Sequence, residues 1–223
     1  FYSELYAQKI MANGSILENE ILLSDDEFFQ KNPRLTSDGN GGAYVVWDDS
    51  RNGNHPNVDI YAQHINSDGS NDWTEGGTLV TNAYGEQTSA LIKRVDDDVF
   101  VAWGDKSSET VFAALWCQIL DANGEAQLDE AQEIFSGLTG DTYNQKLLET
   151  NSGLYTFWED TRSPFGKQIY VQKLLNDDTF AFQADGMPLT GITNADQSSI
   201  AIGAGNDGIA IVWSEKREDN PRL

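Results

Sequence analysis

The chain has 223 residues, 36 of them acidic and 14 basic, for a formal charge of −22; such a surface repels nucleic acid and anionic membranes and excludes both as partners. With 39% apolar residues the composition is that of a folded globule. No apolar run approaches the roughly 18–20 residues that cross a bilayer, and a lone Cys117 excludes an internal disulfide.

The chain opens at Phe1 with neither an initiator Met nor a signal peptide, as expected of a processed product or an excerpt of a larger polypeptide. The first predicted strand, "LYAQKI", carries Gln8 and runs into the turn "MANG" at Gly14. A closing strand and the acidic "SDD" at 24–26 precede Gln30, the leading strand "PRLTSD", a Gly-rich turn and the strand "GAYVVW", which ends at Trp47. The polar hairpin "DDSRNGNHPN" then feeds "IYAQHI" with Gln63, the turn "NSDG" at Gly69 and the closing strand "TLVTN".

The same order recurs down the chain. Gln87, "DVFVAW" with Trp103, "LWCQIL" with Gln118 and "DANG" with Gly124 form one copy. Gln145, "GLYTFW" with Trp158, "IYVQKL" with Gln172 and "LNDD" with Asp178 form another, and Gln197 and "GIAIVW" with Trp213 begin the last. The strand glutamines Gln8, Gln63, Gln118 and Gln172 step by 55, 55 and 54 residues, and the tryptophans by 56, 55 and 55. β-Branched and aromatic runs punctuated by Gly, Asn and Asp predict strands throughout; only "LDEAQEIF" at 128–135 resists that assignment.

Four-stranded repeats of this length predict an all-β fold, a β-propeller built of four ~55-residue repeats in a single domain, 1–223. The repeats are expected at about 33–87, 88–145, 146–197, and 198–223 completed by 1–32. That division implies a closed four-bladed ring with two strands of one blade from each terminus; the alternative is an excerpt of a larger propeller.

The residues that could carry chemistry are mostly repeated. Two past each Trp stands an acid (Asp49, Asp105, Asp160, Glu215), and four past it Arg51, Ser107, Arg162 or Arg217. A ligand site is needed once, whereas a brace is needed in every blade, so these pairs read as clamps on the hairpin or the next blade; Lys106 is a substitute where Ser107 replaces Arg. The Trp strands also place Val45, Val101, Thr156 and Ile211 on the Trp face, which fills space between blades.

Trp73 has no Trp equivalent and is the candidate for stacking on a sugar, with an edge-of-blade core role as the simpler reading. His55 and His64 lack matching partners, and no nucleophile elbow, P-loop or zinc spacing is present. Cys117 aligns with Ala7, Ala62 and Val171 and reads as buried and inert. The acidic runs at 24–26, 96–98 and 176–178 make calcium a possible cofactor, with solvated turns the simpler reading. No catalytic, cofactor-binding or metal residue is assigned. A buried amide at Gln63 and its equivalents is expected to satisfy backbone groups where strands or blades meet.

Laid out as "GGAYVVWDDSRNGN" followed by "DIYAQHINSDGSNDW", the chain resembles the β-propeller repeats of bacterial secreted and cell-surface proteins: Gly-Gly-x-apolar-x-x-Trp-x-Asp-x-Arg, then Asp-Ile-Tyr-Ala-Gln, then a Gly turn. The 33–87 unit matches closely, 146–197 in "WEDTR" and "IYVQ", and the others more loosely. The resemblance implies secretion or surface display as part of a larger polypeptide or assembly. The resulting expectation is a non-enzymatic extracellular interaction or structural module that binds a protein or polysaccharide partner. The alternatives are a glycan-active propeller hydrolase or lyase, and a calcium-dependent lectin-like binder.

Overall fold

The computed structural model describes residues 3–52, 57–106, 113–137, 140–191, 194–205 and 208–217. Every regular element among them is a strand, and no helix is long and apolar enough to cross a membrane. In chain order the strands are β1 (Leu5–Ala7), β2 (Ile21–Ser24), β3 (Gln30–Ser37), β4 (Ala43–Asp49), β5 (Asp59–Ile65), β6 (Thr78–Thr81), β7 (Glu86–Val95) and β8 (Asp98–Lys106). They continue as β9 (Ala114–Leu120), β10 (Gln132–Phe135), β11 (Thr142–Thr150), β12 (Gly153–Asp160), β13 (Gln168–Leu174), β14 (Met187–Pro188), β15 (Ala195–Gly205) and β16 (Gly208–Arg217).

Three sheets have four strands, each in sequence order: β3-β4-β5-β6, β7-β8-β9-β10 and β11-β12-β13-β14. β1 with β2 and β15 with β16 form two-stranded sheets. Sheets of four short meandering strands are the expected repeats, and the segment 128–135 yields a strand over Gln132–Phe135. The turn residues Gly14, Gly69, Gly124 and Asp178 all have positive φ, between 61° and 91°, which is why Gly, or an acid that tolerates the left-handed region, stands there.

The chain divides into two compact units, one of Phe1–Ser108 with Trp116–Gln132, the other of Glu109–Leu115 with Glu133–Leu223. In the first unit, Trp47 and Val45 pack on Leu5, Ile21 and Leu23 of the β1-β2 sheet. The opposite face of β4 and β5 (Tyr44, Val46, Ile60, Ala62) packs on Val99, Val101 and Trp103 of β8. The Trp face of one sheet therefore fills the space against its predecessor, as the alternation of the strands predicts. The second unit repeats this arrangement: Phe157, Ile169 and Val171 bury Ile200, with Ile209, Ile211 and Trp213 packed against them.

The leading strand of every repeat carries a bulge that the sequence does not announce. Register breaks between Lys31 and Arg34, Thr88 and Leu91, Tyr143 and Lys146, and Ser198 and Ala201. Asn32, Ser89, Asn144 and Ser199 sit there with φ between 49° and 60°, an extra residue that bends the strand. The residue after Trp ties one sheet to the next at these bulges. Asp48 accepts from Asn32 Nδ2 (2.8 Å) and from the amide of Ser89 (3.0 Å). Glu159 accepts from Asn144 Nδ2 (2.8 Å) and from the amide of Ser199 (2.6 Å).

Candidate functional site

The Trp-x-acid-x-Arg element is a brace. Trp47 Nε1 donates to Asp49 Oδ2 at 2.8 Å, and Arg51 pairs with the same oxygen at 2.6 Å while its ring of donors reaches Gly76 O and Ser24 Oγ. The Arg51 guanidinium lies 3.8 Å over the Tyr61 ring and pairs with Asp26 at 2.7 Å. The second unit repeats the construction: Asp160 takes Trp158 Nε1 and Arg162, and Arg162 donates to Asp185 O and stacks on Tyr170 and Phe135. Arg217 pairs with Glu215 but is exposed. Asp105 is half-buried near the end of β8, where desolvation raises its pKa; Lys106 is exposed, and Ser107 lies outside the described residues.

The strand glutamines are equally structural. Gln63 is fully buried; its Nε2 donates to Thr74 O (2.8 Å), and its Oε1 accepts from the amides of His64 and Trp73 (2.9 Å each). Gln118 does the same with Leu128 and Ile119, and Gln172 with Gln183, Lys173 and Phe182. Gln8 keeps the donor half, to Leu17 O at 2.9 Å. Each amide thus holds the crossing from third to fourth strand within its own repeat, satisfying backbone groups that a short loop leaves open.

The third marker needs a correction. Gln30, Gln87 and Gln197 stand opposite Asp49, Asp105 and Glu215, but the residue opposite Asp160 is Thr142, not Gln145. Gln145 lies past the bulge and donates to Thr142 Oγ1. A threonine in the slot makes the repeat invisible to a search for glutamine.

Trp73 is no open stacking platform. It is buried, its Nε1 donates to Ala122 O at 2.9 Å, and its ring lies against Gly124 and 5.5 Å from Tyr44. His64 does find partners: Nδ1 is 3.0 Å from Asp72 Oδ2, Nε2 is 3.2 Å from Asp38 Oδ2, and the ring stacks on Tyr44. Burial pushes the Asp38 carboxyl up, but the Asn40 amide, His64 and the Gly42 amide outweigh it and hold it below its ordinary range. This is a hairpin lock rather than a reacting centre, because Asp38 is 5% exposed and both ring nitrogens of His64 are engaged, with one ring face stacked on Tyr44. His55 lies outside the described residues.

Burial pushes the Cys117 thiol up to about 12, so it stays protonated and inert. Among the described residues no three His, Cys, Asp or Glu side chains converge as a metal site would require. Of the acidic runs, Asp26 pairs with Arg51, Asp97 lies 3.8 Å from Arg94, and Asp177 accepts from Thr179.

One cluster recurs only in part. Asp59, at the start of β5, faces Asp49 across the β4-β5 ladder and accepts from Asn52 Nδ2 at 2.8 Å; the same amide reaches Tyr61 Oη at 3.0 Å. In β13 the equivalent position, opposite Asp160, is Gln168, one repeat later in sequence than Asp59 it is Ala114, and one repeat earlier it is Glu4, which is exposed and accepts from Tyr6 Oη at 2.7 Å. Burial raises the Asp59 pKa, the Asn52 bond opposes the rise, and the neighbouring Asp49 charge adds to it. Asp26, on the other side of Arg51, has a side chain 41% exposed. A buried carboxyl whose pKa is raised and a solvent-reaching carboxylate are the two kinds of group that acid–base hydrolysis uses. The first was hidden in the sequence as an ordinary strand residue of "DIYAQ".

No protein-family model and no curated protein matches the chain. Solved structures do. An α-L-arabinofuranosidase from Fusarium graminearum, in complex with an iminosugar inhibitor, superposes with a TM-score of 0.58 at 10% identity, over 86% of this chain and 58% of its own. A Penicillium chrysogenum α-L-arabinanase complexed with arabinobiose superposes at 0.50 and 13% identity, over 81% of this chain and 58% of its own. At such identities the likeness establishes a β-propeller-like all-β fold, and the chain spans less than two-thirds of either protein. It also corrects one expectation. The two solved structures just described are glycoside hydrolases, and this overturns the reading of a non-enzymatic interaction or structural module.

Proposed function

We propose that the chain is the propeller portion of a glycan-active hydrolase, with arabinose-containing polysaccharides as the first substrates to examine. The observation that carries the reading is the shared fold with an arabinofuranosidase and an arabinanase. Asp59 and Asp26 supply the chemistry. Asp59 donates a proton to the departing glycosidic oxygen as the anomeric C–O bond breaks. Asp26 takes a proton from the water that attacks the anomeric carbon. Burial beside Asp49 keeps Asp59 protonated to higher pH than a free carboxyl. Secretion, suggested by the resemblance to bacterial surface repeats, suits an enzyme whose polysaccharide lies outside the cell.

Reducing-sugar release from a panel of arabinan, arabinoxylan and other plant glycans tests this. Wild-type protein is expected to cleave at least one, and Asp59→Asn and Asp26→Asn to lose about 10²–10⁴-fold in kcat with unchanged melting. Undiminished turnover by D59N would overturn the assignment of the acid. The alkaline limb of the pH–rate profile is expected to follow Asp59, activity falling as pH rises through its raised pKa.

We further infer the closed four-bladed ring. Val46 pairs with Ala62 and Phe157 with Val171, and a ring closed in that register would set Val212 of β16, 68% exposed, opposite Ala7 of β1. Val212→Cys with Ala7→Cys, oxidised at low concentration, is expected to give a cross-linked monomer; cross-linked multimers would contradict closure and favour a larger assembly.

A further inference from the structure

A cleft of about 490 Å³ in the second unit is lined by Pro164, Phe165, Asn194, Asp196 and Lys216. Phe165 is the informative residue. It lies 54% exposed on the loop between β12 and β13, a position that leaves most of an apolar ring in water for no gain in the core. The loop itself is pinned. Ser163 Oγ accepts from the Phe165 amide at 3.2 Å, Ser163 O accepts from the Gly166 amide, and Asp196 Oδ1 accepts from the Lys167 amide at 2.8 Å. Gly166 has φ +106°, with Asp196 Oδ1 3.0 Å from where a side chain would begin, so the chain here is bent tightly against β15 and the ring is held outward.

The polar groups around the ring are matched. Asp196 and Lys216 are direct neighbours across the β15-β16 ladder, supplying an acceptor and a donor whose charges cancel, and Asn194 adds an amide with both functions. An anion would meet Asp196 and a cation Lys216, whereas a neutral polyhydroxylated ring can use all three while its apolar face covers Phe165. We infer that this cleft is a saccharide-binding subsite for a neutral sugar ring, with Phe165 as its stacking platform and Asp196, Lys216 and Asn194 as its hydroxyl partners. The inference rests on the glycan-active reading and adds to it a binding position in the second unit.

Titration calorimetry with arabino-, xylo- and galacto-oligosaccharides, alongside cleavage of the glycan panel, tests it. Phe165→Ala is expected to raise Kd for the bound oligosaccharide at least 10-fold, and Phe165→Tyr, which keeps the ring, to leave it within about 2-fold, both with wild-type melting. If the wild type cleaves glycans but F165A binds them as tightly as wild type, the subsite is wrong and the hydrolase reading stands. If the wild type neither cleaves nor binds any saccharide, the reading beneath it fails as well. If F165A melts lower, Lys216→Ala replaces it as the probe, with the same 10-fold loss expected and unchanged affinity overturning the site.

Discussion

Replacing Gln63 with Leu tests the amide that organises the repeat. The substitution removes three hydrogen bonds: one to Thr74 O and two from the His64 and Trp73 amides. Gln63 is fully buried, so the His64 and Trp73 amides lose their acceptor with no water to replace it, while Thr74 O keeps its bond from the Gly77 amide at 2.8 Å. Each orphaned N–H costs about 1–3 kcal/mol and the lost bond to Thr74 O about 1 kcal/mol, or about 3–6 kcal/mol together with partial relaxation. Leu returns about 1–2 kcal/mol of apolar burial, leaving a net loss of about 2–4 kcal/mol. At about 2–4 °C per kcal/mol for a chain of this size, the melting temperature is expected to fall by about 4–16 °C. The control is Gln145→Leu, which removes one bond from a half-buried side chain and is expected to shift melting by less than about 3 °C. Thermal melts followed by circular dichroism decide it; Q63L melting within about 2 °C of wild type would refute the buried-amide argument.

Other substitutions probe different parts of the scaffold. Gly77→Ala is expected to destabilise strongly, because φ there is +100° and a Cβ would collide with the Trp47 ring; denaturant melts should show a loss of more than about 2 kcal/mol. Glu159→Gln is expected to flatten the acid side of the stability profile. Burial raises the Glu159 pKa, but Lys167, Asn144 and the Ser199 amide lower it further, so its folded pKa lies below the unfolded value near ~4.3. Its stabilisation is therefore complete above that value and lost as pH falls through the folded pKa; a wild-type and an E159Q profile that run parallel below about pH 5 would contradict this. Cys117 is expected to resist a thiol reagent at pH 8 in native protein and to react fully after unfolding.

The parts of the fold that repeat were legible from the residues alone. A buried Gln, a Trp brace and a positive-φ turn are each needed once per sheet, so selection writes them at a fixed period. What repeats only as a backbone shape was not legible. The bulges are held by Asn32, Ser89, Asn144 and Ser199, four polar residues with no common letter, and Thr142 fills the slot of Gln30, Gln87 and Gln197. β14 shrinks to Met187–Pro188 because a proline has no N–H to extend the ladder. Chemistry was harder still. Asp59 looks like any residue at the head of a strand until its place beside Asp49 and Asn52 is known, and Trp73 looks like a sugar platform until its burial under Tyr44 and Gly124 is seen. The same repetition that revealed the architecture argued for a scaffold without activity, because the candidate acid does not keep the period: Glu4, Ala114 and Gln168 stand where Asp59 does.

The most direct measurement is glycan cleavage by the purified chain, read as reducing ends released from arabinan and related polysaccharides by wild type and by D59N in parallel. Turnover by wild type, reduced about 10²-fold or more in D59N at unchanged melting temperature, is the expected result. No release from any glycan by a folded wild-type chain would contradict the hydrolase reading.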